Sequence, residues 1–219
     1  MTIRNSVLER NIESLYHFTT IENLISIMER GFIYSRNKID ELKRTNDGCF
    51  TADYVDHMDN LRLDGLRDFI NLSLSRPNWY LLNQYIGRED LKFFNWCIIE
   101  LRTDSLMKPT TLFSVCNAAS NAAKNYGVTS GKDAFDKLFI PEVITPHKTY
   151  LRNGLSDKYT TDIQAEVLVK DKLPIREIKH IFLRSHAHIS QFKAAFNMLG
   201  LDNSLFSVNS ELFERPILK

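Results

Sequence analysis

Between Asp162 and Val169 the chain reads Asp-Ile-Gln-Ala-Glu-Val-Leu-Val, a β-patterned apolar segment with one carboxylate, Glu166, where a core residue is expected. Apolar β-branched neighbours predict a strand. Ionised Glu is seldom fully buried unless something pairs with it, so Glu166 is expected to face a cleft, not the core. Glu166 is therefore the first candidate functional residue, and the fold must contain a strand with one polar, site-facing position.

The remaining pattern mixes strands and helices. A helix is expected over Ile3 to Glu13 and a strand at Leu15 to Phe18. A second helix carries Ile21, Leu24, Ile25 and Met28; it opens on a capping-box form, Thr19 with Glu22, and stops at Gly31. Phe32 to Ser35 reads as a strand, and the polar stretch Arg36 to Asp68 as a long loop with at most one short helix. Phe69 to Ser75 alternates, with Ile70, Leu72 and Leu74 on one face and Asn71, Ser73 and Ser75 on the other.

Pro77 opens another helix, Phe93 to Leu101 and Leu112 to Val115 read as strands, and Asn117 caps an Ala-rich helix to Lys124. Lys132 to Phe139 reads as a helix, Ile178 to Leu183 as a strand after Pro174, His188 to Leu199 as an amphipathic helix, and Leu205 to Val208 as a closing strand. There is no regular β-α alternation and no G-x-G-x-x-G or G-x-x-x-x-G-K, which excludes the usual dinucleotide and P-loop patterns. The class is α+β, mostly antiparallel, in one domain over residues 1–219.

Composition narrows the function classes. With 43 % hydrophobic and 25 % charged residues this is an ordinary globular chain, and no stretch approaches the roughly 20 apolar residues of a membrane span. A cytoplasmic protein is expected. Cys49, Cys97 and Cys116 show neither a paired framework nor zinc spacing, so neither disulfide nor structural metal is expected. His186 and His188 lack a third ligand at suitable spacing and read as a helix start. Cys116 reads as a small buried residue sooner than a nucleophile. A net charge of +1 excludes a large basic field, leaving local patches such as Lys148, Arg152 and Lys158 interleaved with Tyr150 and Tyr159.

Two further residues stand out. His17 ends the first strand among apolar neighbours, where it is either a satisfied core histidine or a hydrogen-bonding group for a ligand. Arg62, in the run Arg-Leu-Asp-Gly, is either a surface residue or a phosphate-gripping fork, with Arg67 and Arg76 as competitors.

Four segments in order, LYHFTTIENLISIMERGFI, Arg-Leu-Asp-Gly leading into INLSLSRPNWYLL, FSVCNAAS and QAEVLVKDKLP, together resemble the DarT family of ADP-ribosyltransferase toxins over roughly Leu15 to Ser185. The resemblance implies a split central sheet and NAD as co-substrate without a metal. It implies catalytic roles for Glu166 and Arg62, and an NAD site of His17, Thr19, Arg62, Asp64, Ser73 and Tyr80, with Tyr80 or Trp79 stacking on nicotinamide. Cleavage of the nicotinamide–ribose bond develops oxocarbenium character, which a nearby carboxylate stabilises.

The resemblance also implies a single-stranded nucleic-acid acceptor, DNA at thymine or guanine, with an mRNA base as the alternative. The segment His147 to Thr161, with His147, Tyr150, Arg152, Lys158 and Tyr159, lies where the superfamily carries its substrate-recognition loop. A toxin–antitoxin role in phage defence, a cognate antitoxin and a monomeric state belong to the same expectation. The rivals are an inactive binding module of this fold, or an unrelated scaffold in which Glu166 is a structural carboxylate.

Overall fold

The computed structural model describes residues 2–45 and 65–216. Cys49, Arg62 and Asp64 therefore lie outside the described residues. Within them, seven α-helices accompany twelve strands.

Helix α1 (Ile3–Glu9), capped by the Thr2 hydroxyl, leads into β1 (Leu15–Thr20). It is shorter than its apolar pattern suggests, because Asn11 adopts positive φ and turns the chain. Helix α2 (Ile21–Arg30) is capped by Thr20, whose hydroxyl accepts from the Asn23 amide; Thr19 is the strand residue before it. It ends at Gly31 in the left-handed region, as the sequence predicts. Strand β2 (Phe32–Tyr34) and helix α3 (Arg36–Arg44) follow; the expected loop from Arg36 thus begins with two helical turns.

Strand β3 (Phe69–Leu74) alternates between buried and half-buried positions. Helix α4 (Trp79–Ile86) is capped by Asn78, and β4 (Trp96–Leu101) is buried along its whole length. After β5 (Leu112–Ser114) the Ala-rich helix α5 (Asn121–Tyr126) starts later than expected. Asn117 spends its side-chain oxygen on the Ala119 amide, so Ser120 becomes the cap.

The second half comprises β6 (Thr129–Ser130), α6 (Lys132–Lys137), the hairpin β7 (Glu142–Ile144) and β8 (Thr149–Leu151), then β9 (Glu166–Lys170) and β10 (Lys172–Pro174). It closes with β11 (Ile178–Leu183), α7 (His186–Met198) and β12 (Phe206–Val208).

Eight strands form one sheet in the order β12-β11-β4-β1-β3-β9-β5-β6, antiparallel throughout except for β11 beside β12. Strands β1 and β3 are joined through two register pairs only, Leu15 with Leu74 and Tyr16 with Ser73. Beyond them β1 follows β4 through Thr20, while β3 follows β9. The sheet therefore splits immediately after Tyr16, and His17 is the first residue inside the split.

Alternation places the two cores. Leu15, Leu72, Leu74, Ile99, Leu101, Val167, Val169 and Ile181 pack with Leu24, Phe135 and Phe196 into the main core. Burying each such side chain contributes about 1.5 to 3 kcal/mol. The opposite face packs Phe18, Trp96, Ile98 and Phe182 against Leu82 and Tyr85 of α4, with Tyr85 stacked on Trp96. On that face Glu100 accepts from Ser14, from Lys179 at 3.0 Å and from His180 at 2.8 Å, tying β11 to β4 and to the residue before β1. Burial raises the Glu100 pKa, yet these three donors together hold it below the ordinary carboxylate value.

Candidate active site

Glu166 begins β9, opposite Ser114 of β5, and is only 5 % exposed. Each oxygen of its carboxylate takes a donor: the Asn71 side-chain amide lies 3.1 Å from Oε1, and the Ala118 backbone N–H lies 3.1 Å from Oε2. This resolves the conflict in the sequence between a strand pattern and a carboxylate. The buried side chain is fixed by one side chain of β3 and by the backbone between β5 and α5, as a buried acceptor must be.

His17 joins the same arrangement from the other side of the split. Its Nδ1 lies 3.0 Å from the Asn71 carbonyl oxygen. A carbonyl only accepts, so Nδ1 carries the proton and Nε2 presents a lone pair. Burial lowers the His17 pKa against the smaller opposing effect of that hydrogen bond, which favours the neutral imidazole. Asn71 thus holds a neutral histidine with its backbone and the carboxylate with its side chain.

The other expected residues distribute unevenly. Ser73 is half-buried on the Asn71 face, in register with Tyr16. Thr19 is buried at the far end of β1, opposite Cys97. Tyr80 is exposed in the first turn of α4, near Tyr150, and Trp79 beside it is half-buried. Arg67 is drawn to α3, its guanidinium 2.6 Å from Asp40 and 3.2 Å from the Asn37 side chain. Arg76 is buried, 4.8 Å above the Tyr159 ring.

The segment before Glu166 is an ordered loop. Arg152 donates to the carbonyls of Tyr159 at 2.7 Å, Asp157 at 3.1 Å and Ser156 at 3.4 Å, so its guanidinium is built into the loop. Lys148 lies over Tyr150 at 4.8 Å and Lys158 over Tyr159 at 5.3 Å, giving the cation and aromatic interleaving read from the sequence. His147 is exposed at the hairpin turn, while Tyr150 packs against the small core of Val143 and Cys116. The loop ends at buried Thr160, Thr161 and Asp162, and the Ala165 amide bonds the Asp162 carbonyl as the chain turns into Glu166.

Sequence reasoning passed over Asn71, the Ala118 amide and Asp162. Asn71 carried one signal, the polar position in an alternating strand; Ala118 carried none, because it acts through its backbone. Burial raises the Cys116 thiol pKa, opposite to what a nucleophile needs. Among the described residues no group of three or more His, Cys, Asp or Glu side chains gathers to hold a metal, and no helix is long and apolar enough to cross a membrane.

Comparison with solved structures finds the same fold. The Thermus sp. 2.9 DarT in complex with carba-NAD+ aligns over 92 % of this chain and 97 % of its own, with TM-score 0.60 and 13 % identity. The same organism's DarT in complex with ADP-ribosylated ssDNA aligns over 92 % and 96 %, with TM-score 0.56 and 12 % identity. The Thermosipho africanus DarTG in complex with ADP-ribose aligns over 91 % of this chain and 50 % of its own, with TM-score 0.54 and 22 % identity. Comparison with curated protein sequences finds no match. The model of the ssDNA thymidine ADP-ribosyltransferase family, DarT, matches residues 16–214, from the residue before His17 to beyond the last strand. The chain belongs to the DarT family of ADP-ribosyltransferases.

Proposed function

We propose that this chain transfers ADP-ribose from NAD to thymine in single-stranded DNA, releasing nicotinamide. The observation that carries the reading is the Asn71 junction: a neutral His17 and a doubly held Glu166 meet at the split of the sheet in a chain of this family. The residues present suit NAD. The His17 Nε2 lone pair accepts a ribose hydroxyl, and the Glu166 carboxylate, fixed before substrate arrives, faces the sugar carbon as positive charge develops. Preorganisation matters here because a carboxylate already desolvated and oriented needs no rearrangement at the moment of bond cleavage.

Arg62 is assigned the diphosphate, with Asp64 orienting it; Thr19, Ser73 and Tyr80 complete the cofactor side. This assignment rests on the family pattern, and it is consistent with Arg67 being engaged by Asp40 and Arg76 by Tyr159. The acceptor strand runs along His147, Tyr150, Lys158 and Tyr159, where aromatic faces and cations adjoin the entry to β9. Stacked bases on such rings are each worth about 1 to 3 kcal/mol, enough for a short strand on a nearly neutral protein. A second protein that removes the ADP-ribose or blocks the site is the proposed antitoxin; its support is that the Thermosipho DarTG chain is twice the length that this fold covers.

The test is incubation of the purified chain with NAD and separate single-stranded DNA and RNA pools, read by intact mass. One added ADP-ribose on thymine-containing DNA is the expected result. Addition to RNA alone, or to guanine alone, overturns the acceptor assignment; no addition to either pool by the folded chain overturns the transferase reading.

A further inference from the structure

Arg76 and Asp162 stand out energetically. Arg76 is 7 % exposed and Asp162 fully buried. One guanidinium nitrogen of Arg76 donates weakly to the Thr160 carbonyl at 3.4 Å, while Nε and Nη1 are buried and have no partner among the described residues. On Asp162, Oδ1 accepts the Gln164 amide at 2.8 Å, but Oδ2 is likewise buried and without a partner. The two side chains sense each other's charge without closing an ion pair.

Such an arrangement is costly, since each unsatisfied buried group is worth about 1 to 3 kcal/mol. Burial lowers the Arg76 pKa to about 10 and raises that of Asp162 to about 6, against opposing effects of Tyr159 and Asp162 on the first and of the Gln164 amide, Arg76 and Lys148 on the second. Displaced ionisations of this kind cluster where chemistry is done. The position is equally specific. Arg76 follows β3, which carries Asn71, and Asp162 makes the turn into β9, which begins with Glu166. The Asp162 carbonyl accepts the Ala165 amide at 3.1 Å, so its turn directly precedes Glu166.

The unused donors of Arg76 and the unused acceptor of Asp162 belong to one turn, Arg76 reaching the Thr160 carbonyl and the Thr160 hydroxyl donating to the Asp162 carbonyl at 2.7 Å, and together they match a carbonyl next to an N–H. We propose that Arg76 and Asp162 activate the acceptor base: Asp162 accepts the ring N–H proton of a nucleobase lactam while Arg76 donates to the carbonyl oxygen beside it. The inference rests on base transfer as proposed above and adds how the nucleophile is made. A lactam nitrogen is a poor nucleophile until its proton leaves, and the resulting anion spreads charge onto the carbonyl oxygen, where a fixed guanidinium offsets it.

The step balances. The proton passes from ring nitrogen to the Asp162 carboxylate, the freed electron pair forms the bond to the ribose carbon, and the ribose–nicotinamide bond breaks with its pair retained by neutral nicotinamide. Asp162 then returns the proton to water. Tyr159 covers the guanidinium, so the base enters as that ring moves aside, and the ring then offers a stacking face. Thymine, uracil and guanine carry the lactam edge; adenine and cytosine do not.

The test compares wild type with Asp162→Asn on strands containing thymine or 5-fluorouracil, measuring base modification and NAD hydrolysis separately. Transfer to thymine is expected to fall at least about a hundredfold further than hydrolysis, and the more acidic ring N–H of 5-fluorouracil to recover about tenfold or more of the loss. Equal losses of transfer and hydrolysis, or unchanged transfer, overturn the assignment. If D162N does not fold, Arg76→Gln takes its place with the same two readouts: a loss of thymine transfer well beyond the loss of hydrolysis supports the pair, and equal losses or unchanged transfer overturn it. Failure of the wild-type chain to modify any strand overturns the underlying transferase reading, which separates that failure from loss of this assignment alone.

Discussion

The Asn71 side-chain amide lies 3.1 Å from Oε1 of Glu166, while its own backbone carbonyl takes the His17 ring at 3.0 Å. One residue of β3 thus spans the point where the sheet divides and sets the distance between the two groups assigned to NAD. Geometry at a site of this kind is felt in rate as well as binding, because small misplacements of a reacting group are expensive.

Asn71→Ala should lower transfer by about a hundredfold and stability by about 1 to 3 kcal/mol, because Oε1 of a buried carboxylate loses the Asn71 amide donor. Asn71→Asp should be worse in both, since a second carboxylate then faces Glu166. Turnover and thermal unfolding of the two variants check this. An N71D chain as active as N71A would show that like-charge repulsion is not felt at the site.

Glu166→Gln should retain the fold and lose transfer by several orders of magnitude, on the order of 10³ or more for removal of a preorganised charge. The new amide oxygen keeps the Ala118 N–H, and the Asn71 side chain can turn its own oxygen toward the new NH₂, so a stability loss below about 1 kcal/mol is expected. Single-turnover measurement with NAD and a thymine strand separates the two effects. Retained transfer would make Glu166 a structural carboxylate.

Glu166 and His17 were legible in the sequence because each is a polar group in an apolar strand pattern, a local conflict that only a site or a partner resolves. Their partners were not, because Asn71 and the Ala118 amide reach Glu166 across strand pairings of long sequence separation that no local pattern encodes. Helix starts show the same limit on a smaller scale: both Thr19 and Thr20 are able to cap α2, and only the strand's extension through Thr20 makes the latter the cap. Likewise the Asn117 side chain is consumed by its own turn, moving the cap to Ser120. The arginine assignment stands on family pattern alone, as Arg62 lies outside the described residues.

Gly31→Ala should destabilise the chain by about 1 to 2 kcal/mol although a methyl group there meets nothing within 4 Å. The reason is backbone: Gly31 closes α2 at φ 74°, and its carbonyl accepts the Ile175 amide at 3.0 Å, fixing the turn that sends β2 to β10. Chemical unfolding of G31A and G31N measures it. Asparagine, which tolerates the left-handed region better, should recover part of the loss.

Asp162 should make the folded chain less stable as pH rises. Its pKa is near 3.8 when exposed and is raised by burial to about 6 in the fold, against the Gln164 amide, Arg76 and Lys148. Between those values the folded state binds the proton more tightly than the unfolded state, so this group's contribution is most favourable below about pH 4 and declines until about pH 6. The full displacement corresponds to about 3 kcal/mol. Asp162→Asn keeps an oxygen for the Gln164 amide and removes the buried charge, so it should unfold at higher denaturant than wild type near pH 8 and at the same denaturant near pH 3. A wild-type-to-variant difference that does not change with pH would mean that Asp162 titrates alike in both states. A variant both more stable and less able to modify thymine would instead mark Asp162 as a residue kept for chemistry at the expense of the fold.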